Sequence, residues 1–126
     1  ASGCSEFNDV LGAGTYLKSR PDVDGSRIGL WGGSYGGYLT AMGLARASDL
    51  FRCGVDLHGV HDWNNDLKVF KPDYNPLEKP KEAQLAFSSS PMAYVDSWKS
   101  PVLLIHGDDD HAVLFTETVM LAKALR

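Results

Sequence analysis

The chain has 126 residues, of which 44% are hydrophobic and 22% charged, and a formal net charge of −4. That length suits one ordinary domain, and the mix is that of a globular chain able to bury a core. No Lys/Arg run or basic-aromatic stripe speaks for a nucleic-acid partner, and no apolar run reaches the roughly 18 residues of a membrane span. Cys4 and Cys53 show no CxxC spacing and no disulfide framework, so both read as free thiols. The N-terminus carries neither a basic nor an apolar leader segment, and the compartment stays open.

In chain order, residues 5–20 predict a helix. Phe7, Val10, Leu11 and Leu17 recur at roughly helical spacing, Ser5 is the candidate N-cap, and Gly12 and Gly14 weaken the pattern. The PDVDGS cluster at 21–26 is a turn signal. RIGLWGG (27–33) is a short apolar run of the kind found in buried strands. A helix is expected over 35–48, with Leu39, Met42, Leu44 and Ala45 available for burial. RCGVDLHGV (52–60) is the next strand. Residues 61–96 read as polar and irregular, with one short helix around Lys81–Phe87. PVLLIHG (101–107) is the clearest strand, and LFTETVMLAKALR (114–126) is helical.

Apolar strands alternating with helices predict an α/β fold, a mostly parallel sheet with helices on both faces. Three strands alone leave little buried core. The last helix also runs into Arg126 without a cap. The expected organisation is therefore residues 1–126 as part of a larger α/β domain, truncated at both ends.

The chemistry centres on Gly32-Gly33-Ser34-Tyr35-Gly36-Gly37. Ser34 directly follows an apolar strand and directly precedes a helix, the context in which Gly-x-Ser-x-Gly forms a nucleophile elbow. Reversing from strand to helix within one residue strains the serine backbone. The strand and helix then approach closely, so Gly32 and Gly36 are expected to be small for steric reasons. Such an elbow points the Ser34 hydroxyl out at the carboxyl end of the sheet, beside the unpaired N–H groups of the helix N-terminus. The Tyr35 N–H is the expected oxyanion donor. A dinucleotide or phosphate loop would need GxGxxG or GxxxxGK[ST], and GLWGGSYGG fits neither.

A serine nucleophile needs a general base and the base needs an orienting carboxylate, in chain order Ser, Asp/Glu, His. Asp108, Asp109 and Asp110 follow the last strand at once and supply the carboxylate, with the choice among them open on these grounds. A metal held by Asp108, Asp110 and His111 is disfavoured, because adjacent residues on one loop rarely converge on one ion; no metal or cofactor is expected. Of the four histidines, His58, His61 and His106 precede Asp110, and His111 adjoins it. None is well placed as base, so the catalytic histidine is expected beyond Arg126.

With these residues assembled, the sequence resembles the catalytic domain of the prolyl oligopeptidase family of serine peptidases, an α/β-hydrolase fold. Within it, the dipeptidyl peptidase IV and acylaminoacyl peptidase branch is the nearer. The resemblance is carried by 20–63, which includes GGSYGGY, and by 90–113, which includes LLIHGDDD. It implies Ser34 as nucleophile and Asp110, three residues before Val113, as the acid. It also implies that the histidine, a second oxyanion donor and an N-terminal β-propeller lie outside this chain. Val60 and Trp63 match positions that wall the pocket for the residue before the scissile bond, with Tyr35 and Val113 closing it. Apolar walls there suit proline, alanine or another small-to-medium apolar side chain. Ala112 stands where the family commonly places a polar or basic substrate contact, and His111 also departs from the usual polar or charged residue. The implied partner is a peptide substrate cleaved through an acyl-enzyme, with the oligomeric state of the parent protein open. An esterase or lipase of the same fold, or a non-catalytic binding relative, are the alternatives.

Overall fold

A computed structural model describes residues 4–126. Three strands, β1 (Gly29–Gly33), β2 (Cys53–Leu57) and β3 (Val102–Ile105), form a parallel sheet in that order. Around it run α1 (Cys4–Ser19), α2 (Tyr35–Arg46), α3 (Trp63–Phe70), α4 (Pro80–Ser88), a 3₁₀ helix (Pro91–Ser97) and α5 (Thr116–Ala124). The α/β class and the parallel sheet agree with the alternation read from the sequence. None of these helices is long and apolar enough to cross a membrane.

Helix α2 supplies the centre of the core. Tyr38, Ala41, Leu44 and Ala45 on it are fully buried, and Ile28 and Phe51 join Leu44 in one cluster. Burying a side chain of the size of Leu44 or Phe51 contributes about 1.5–3 kcal/mol. Phe7, Tyr38, Met42, Val60 and Val113 form a second cluster, nearer the carboxyl ends of the strands. Helix α1 packs on α2 through Phe7, and on the segment that follows α2 through Gly14, where a Cβ would lie 2.7 Å from the Phe51 ring. Gly14 is thus the point of closest approach in α1 rather than its weakness. Two expectations for α1 are corrected: Leu17 is exposed, and Ser5 lies inside the helix with its hydroxyl on the Glu6 carboxylate at 2.7 Å.

Residues 61–96 hold more regular structure than their composition suggests. Helix α3 begins at an Asp62 N-cap, whose side chain accepts from the Asn64 N–H at 3.0 Å. Helix α4 begins with Pro80 in its first turn. Both are short and weakly apolar, so periodicity alone marked only the second.

The sheet is covered unequally by the described residues. On the α2 side, Gly54 and Asp56 of β2 are buried. On the opposite side, the registered partners Trp31, Val55 and Leu103 present a face on which Trp31 is 80% and Leu103 57% exposed. The free thiol of Cys53 is exposed as well, as is that of Cys4.

Candidate active site

The parallel arrangement brings three strand ends to one edge. Ser34 follows β1, His58 follows β2, and the acidic loop 108–113 follows β3. Strands lie about 4.8 Å apart, so the ends of β1 and β3 are separated by about 10 Å, room for an imidazole between a serine and a carboxylate.

Ser34 has φ 55° and ψ −117°. Among the described residues, only Ser34 and His58 are non-glycine residues with positive φ. Holding a serine there costs on the order of 1–3 kcal/mol, and surrounding contacts must impose it. The Ser34 N–H donates to Leu57 O at 2.9 Å and faces His58 Nδ1 at 3.0 Å. Its hydroxyl is exposed and makes no capping bond to α2. The Tyr35 N–H belongs to the first turn of α2, where N–H groups have no acceptor within the helix.

The glycines share the elbow unequally. A Cβ on Gly32 would lie 2.6 Å from Gly36 O, so strand and helix backbones meet there. A Cβ on Gly36 would meet nothing within 4 Å, whereas one on Gly37 would lie 2.6 Å from Asp56 Oδ1 and 2.8 Å from Gly59 Cα. The steric requirement expected of Gly36 therefore falls on Gly37, whose side faces the β2 end.

The acidic triplet resolves by environment. Asp108 and Asp109 are exposed, and Asp109 meets only the exposed His111, at 3.1 Å. Asp110 is half-buried, and its Oδ1 accepts from the Ala112 and Val113 N–H groups, both at 2.9 Å. Its Oδ2 lies 3.4 Å from His106 Nε2. The Val113 and Ala112 N–H groups, with the fields of His106 and His58, hold the Asp110 carboxyl below its ordinary value. It is a fixed, ionised carboxylate at the sheet edge.

The predicted pocket residues also come together. Val60 and Val113 are buried in one cluster, with Tyr35 and Trp63 packed against it. The Trp63 ring is 5.1 Å from Tyr38 and 6.3 Å from Tyr35, centroid to centroid. Ala112 stays exposed on the loop.

Known proteins match this chain over nearly its whole length. A profile of the prolyl oligopeptidase family matches residues 1–126. The chain belongs to the prolyl oligopeptidase family. Dipeptidyl peptidase 4 of Bos taurus is 34% identical over 125 residues, which cover 98% of this chain and 16% of that protein. Prolyl endopeptidase FAP of Homo sapiens is likewise 34% identical over 125 residues, with the same 98% and 16% coverage. Among solved structures, the acylaminoacyl peptidase of Pyrococcus horikoshii superposes with a TM-score of 0.84 at 31% identity, over 98% of this chain and 21% of that one. The three-stranded sheet and its helices are accordingly part of the α/β-hydrolase fold of prolyl oligopeptidase family members.

Behind the elbow of this prolyl oligopeptidase family chain lies a buried ionic group that motif reading did not find. Asp56, His61 and Glu117 are each 0–1% exposed. His61 Nε2 meets Asp56 Oδ2 at 2.5 Å, and His61 Nδ1 meets the Glu117 carbonyl at 2.9 Å. Glu117 Oε2 accepts from the His61 N–H at 3.1 Å and the Asp62 N–H at 3.0 Å. Burial pushes the His61 imidazole down, but the Asp56 hydrogen bond and charge, with Glu117, outweigh it and the pKa is raised. For Glu117 burial wins over its N–H donors and His61, and the carboxyl is pushed up to about 7. The group ties the β2 end, the Val60–Trp63 wall and α5 together. Its members are 5 and 56 residues apart along the chain, a separation that no local pattern encodes.

Proposed function

We propose that the protein to which this chain belongs is a serine peptidase that hydrolyses short peptides through an acyl-enzyme on Ser34. The observation that carries the reading is the strained Ser34 backbone between β1 and α2, with its hydroxyl exposed and unengaged. Ser34 Oγ attacks the scissile carbonyl and the Tyr35 N–H stabilises the oxyanion. Asp110 orients the histidine that accepts the serine proton and returns it to the leaving amine. Tyr35, Val60, Trp63 and Val113 receive the side chain before the scissile bond, and Ala112 borders the site from the loop. The peptidase activities named for the relatives, Bos taurus dipeptidyl peptidase 4 and Homo sapiens prolyl endopeptidase FAP, favour a peptide over the esters that a lipase of the same fold would take.

The base is none of the four histidines of this chain. His58 turns Nδ1 to the Ser34 N–H rather than to its hydroxyl. His61 is fully buried between Asp56 and Glu117, and His106 is held by Thr118 Oγ1 and Val113 O. His111 points outward to Asp109. Without a base, a serine site retains only the weak catalysis of its oxyanion hole and binding groups.

Fluorophosphonate labelling tests both statements. The full-length protein should label rapidly at Ser34, and its Ser34→Ala variant should not. The 126-residue chain alone should label negligibly; rapid Ser34-specific labelling of it would contradict the assignment of the base elsewhere.

A further inference from the structure

Among the described residues, three buried side-chain atoms lack a hydrogen-bond partner: Trp63 Nε1, Asp66 Oδ1 and Glu117 Oε1. Glu117 is anchored through its other oxygen, Oε2, by the His61 and Asp62 N–H groups. Asp66 is not. It is 4% exposed, and no ion pair among the described residues includes it. Burial alone pushes its carboxyl above the ordinary value, with no opposing charge drawing it back. A buried carboxylate without a partner is costly, and in native proteins such groups are rare.

Its place on α3 says where a partner would come from. Asn64 and Leu67 face α4: Asn64 Nδ2 donates to Ala83 O at 3.0 Å, and Leu67 lines a groove with Leu85 and Ala86. Asn65 faces α5, with its Nδ2 3.4 Å from Thr116 Oγ1. Trp63 packs on Tyr35 and Tyr38. At 3.6 residues per turn, Asp66 falls on the arc between Asn65 and Trp63, about one turn along from the indole. That arc looks between the start of α5 and the aromatic ring of the residue following Ser34.

We infer that Asp66 is a specificity-determining residue, the acidic end of an otherwise apolar pocket, and that the preferred substrate carries lysine or arginine before the scissile bond. The inference rests on the peptidase reading for the placement of the substrate. The stem of a basic side chain is itself apolar and suits the collar of Tyr35, Val60, Trp63 and Val113. Its charged end gives Asp66 the donor it lacks. Enclosure within that collar makes the pair count for more than a surface ion pair. The apolar collar alone would favour proline or alanine; the carboxylate reverses that preference.

The test uses the full-length protein carrying Ser34→Ala, so that binding is read without turnover. Matched peptides with lysine or norleucine before the scissile bond differ in the ammonium group, and calorimetry gives their Kd values. The lysine peptide is expected to bind at least tenfold more tightly. Adding Asp66→Ala, or the isosteric Asp66→Asn should the first variant not fold, is expected to bring the ratio to about one. Equal affinities, or a lysine preference that survives both variants, would overturn the inference. So would a loss of thermal stability with unchanged selectivity, which would mean that another part of the protein pairs with Asp66. Turnover by the protein with Ser34 intact is measured separately. Lysine-selective binding without Ser34-dependent hydrolysis would sink the peptidase reading and leave this pocket standing.

Discussion

Glu117→Gln should change how stability depends on pH. Glu117 is fully buried, and burial pushes its carboxyl up to about 7 from an ordinary value of 4.5. The folded state therefore holds this proton more tightly than the unfolded chain. That preference contributes fully below pH 4.5 and is lost as pH rises through about 7. At about 1.4 kcal/mol per pKa unit, ionising Glu117 costs the folded state about 3 kcal/mol by pH 8. Glutamine cannot ionise, and its carbonyl can still accept from the His61 and Asp62 N–H groups. Its amide lacks a partner where Glu117 Oε1 now lies unpaired, a constant cost of about 1–3 kcal/mol at every pH. The decisive quantity is the slope. Relative to the wild type, the variant should gain up to about 3 kcal/mol between pH 4.5 and pH 8. Lost attraction to protonated His61 lowers that figure. Urea unfolding of both proteins from pH 4.5 to 8.5 measures it. A difference that stays constant, or grows against the variant toward pH 8, would refute the assignment of a destabilising buried carboxylate.

Other substitutions probe the elbow and the acid. Gly37→Ala should destabilise by about 1–3 kcal/mol, because its Cβ would meet Asp56 Oδ1 and Gly59 at the distances given above. Gly36→Ala should be neutral or stabilise by up to about 1 kcal/mol; paired melting curves separate the two, and equal losses would restore Gly36 as the tight position. His58→Asn, which tolerates φ 43°, should keep most of the stability, while His58→Val should lose about 1–2 kcal/mol more. Asp110→Asn in the full-length protein should retain the loop, since the amide oxygen can still accept from Ala112 and Val113. Its kcat should nonetheless fall on the order of 10⁴-fold, through loss of the charge that orients the base. A fall of less than tenfold would remove Asp110 from the triad.

Local sequence determined much of this protein. The elbow was legible because its cause is local: an apolar strand, a serine, and glycines where two backbones meet. The three strands were legible for the same reason, since each is a short apolar run bounded by turn residues. Asp110 could be separated from Asp108 and Asp109 only through family resemblance, and the structure supplies a physical basis in the two N–H groups that hold it. Helix α3 escaped periodicity because its inward side chains include Asp66, a residue that reads as solvent-facing in any pattern.

Tertiary structure alone decided the remainder. Asp56, His61 and Glu117 each look like ordinary polar residues in sequence. Only the meeting of the loop after β2 with α5 encloses them together, and it raises the pKa of His61 and Glu117. The same holds for the glycines: motif spacing singles out Gly36, but the contact with Asp56 and Gly59 falls at Gly37. A sequence states which residues are near along the chain, while burial and charge depend on which surfaces meet after it folds. The burial of the Asp66 and Glu117 carboxylates belongs to that second kind of information.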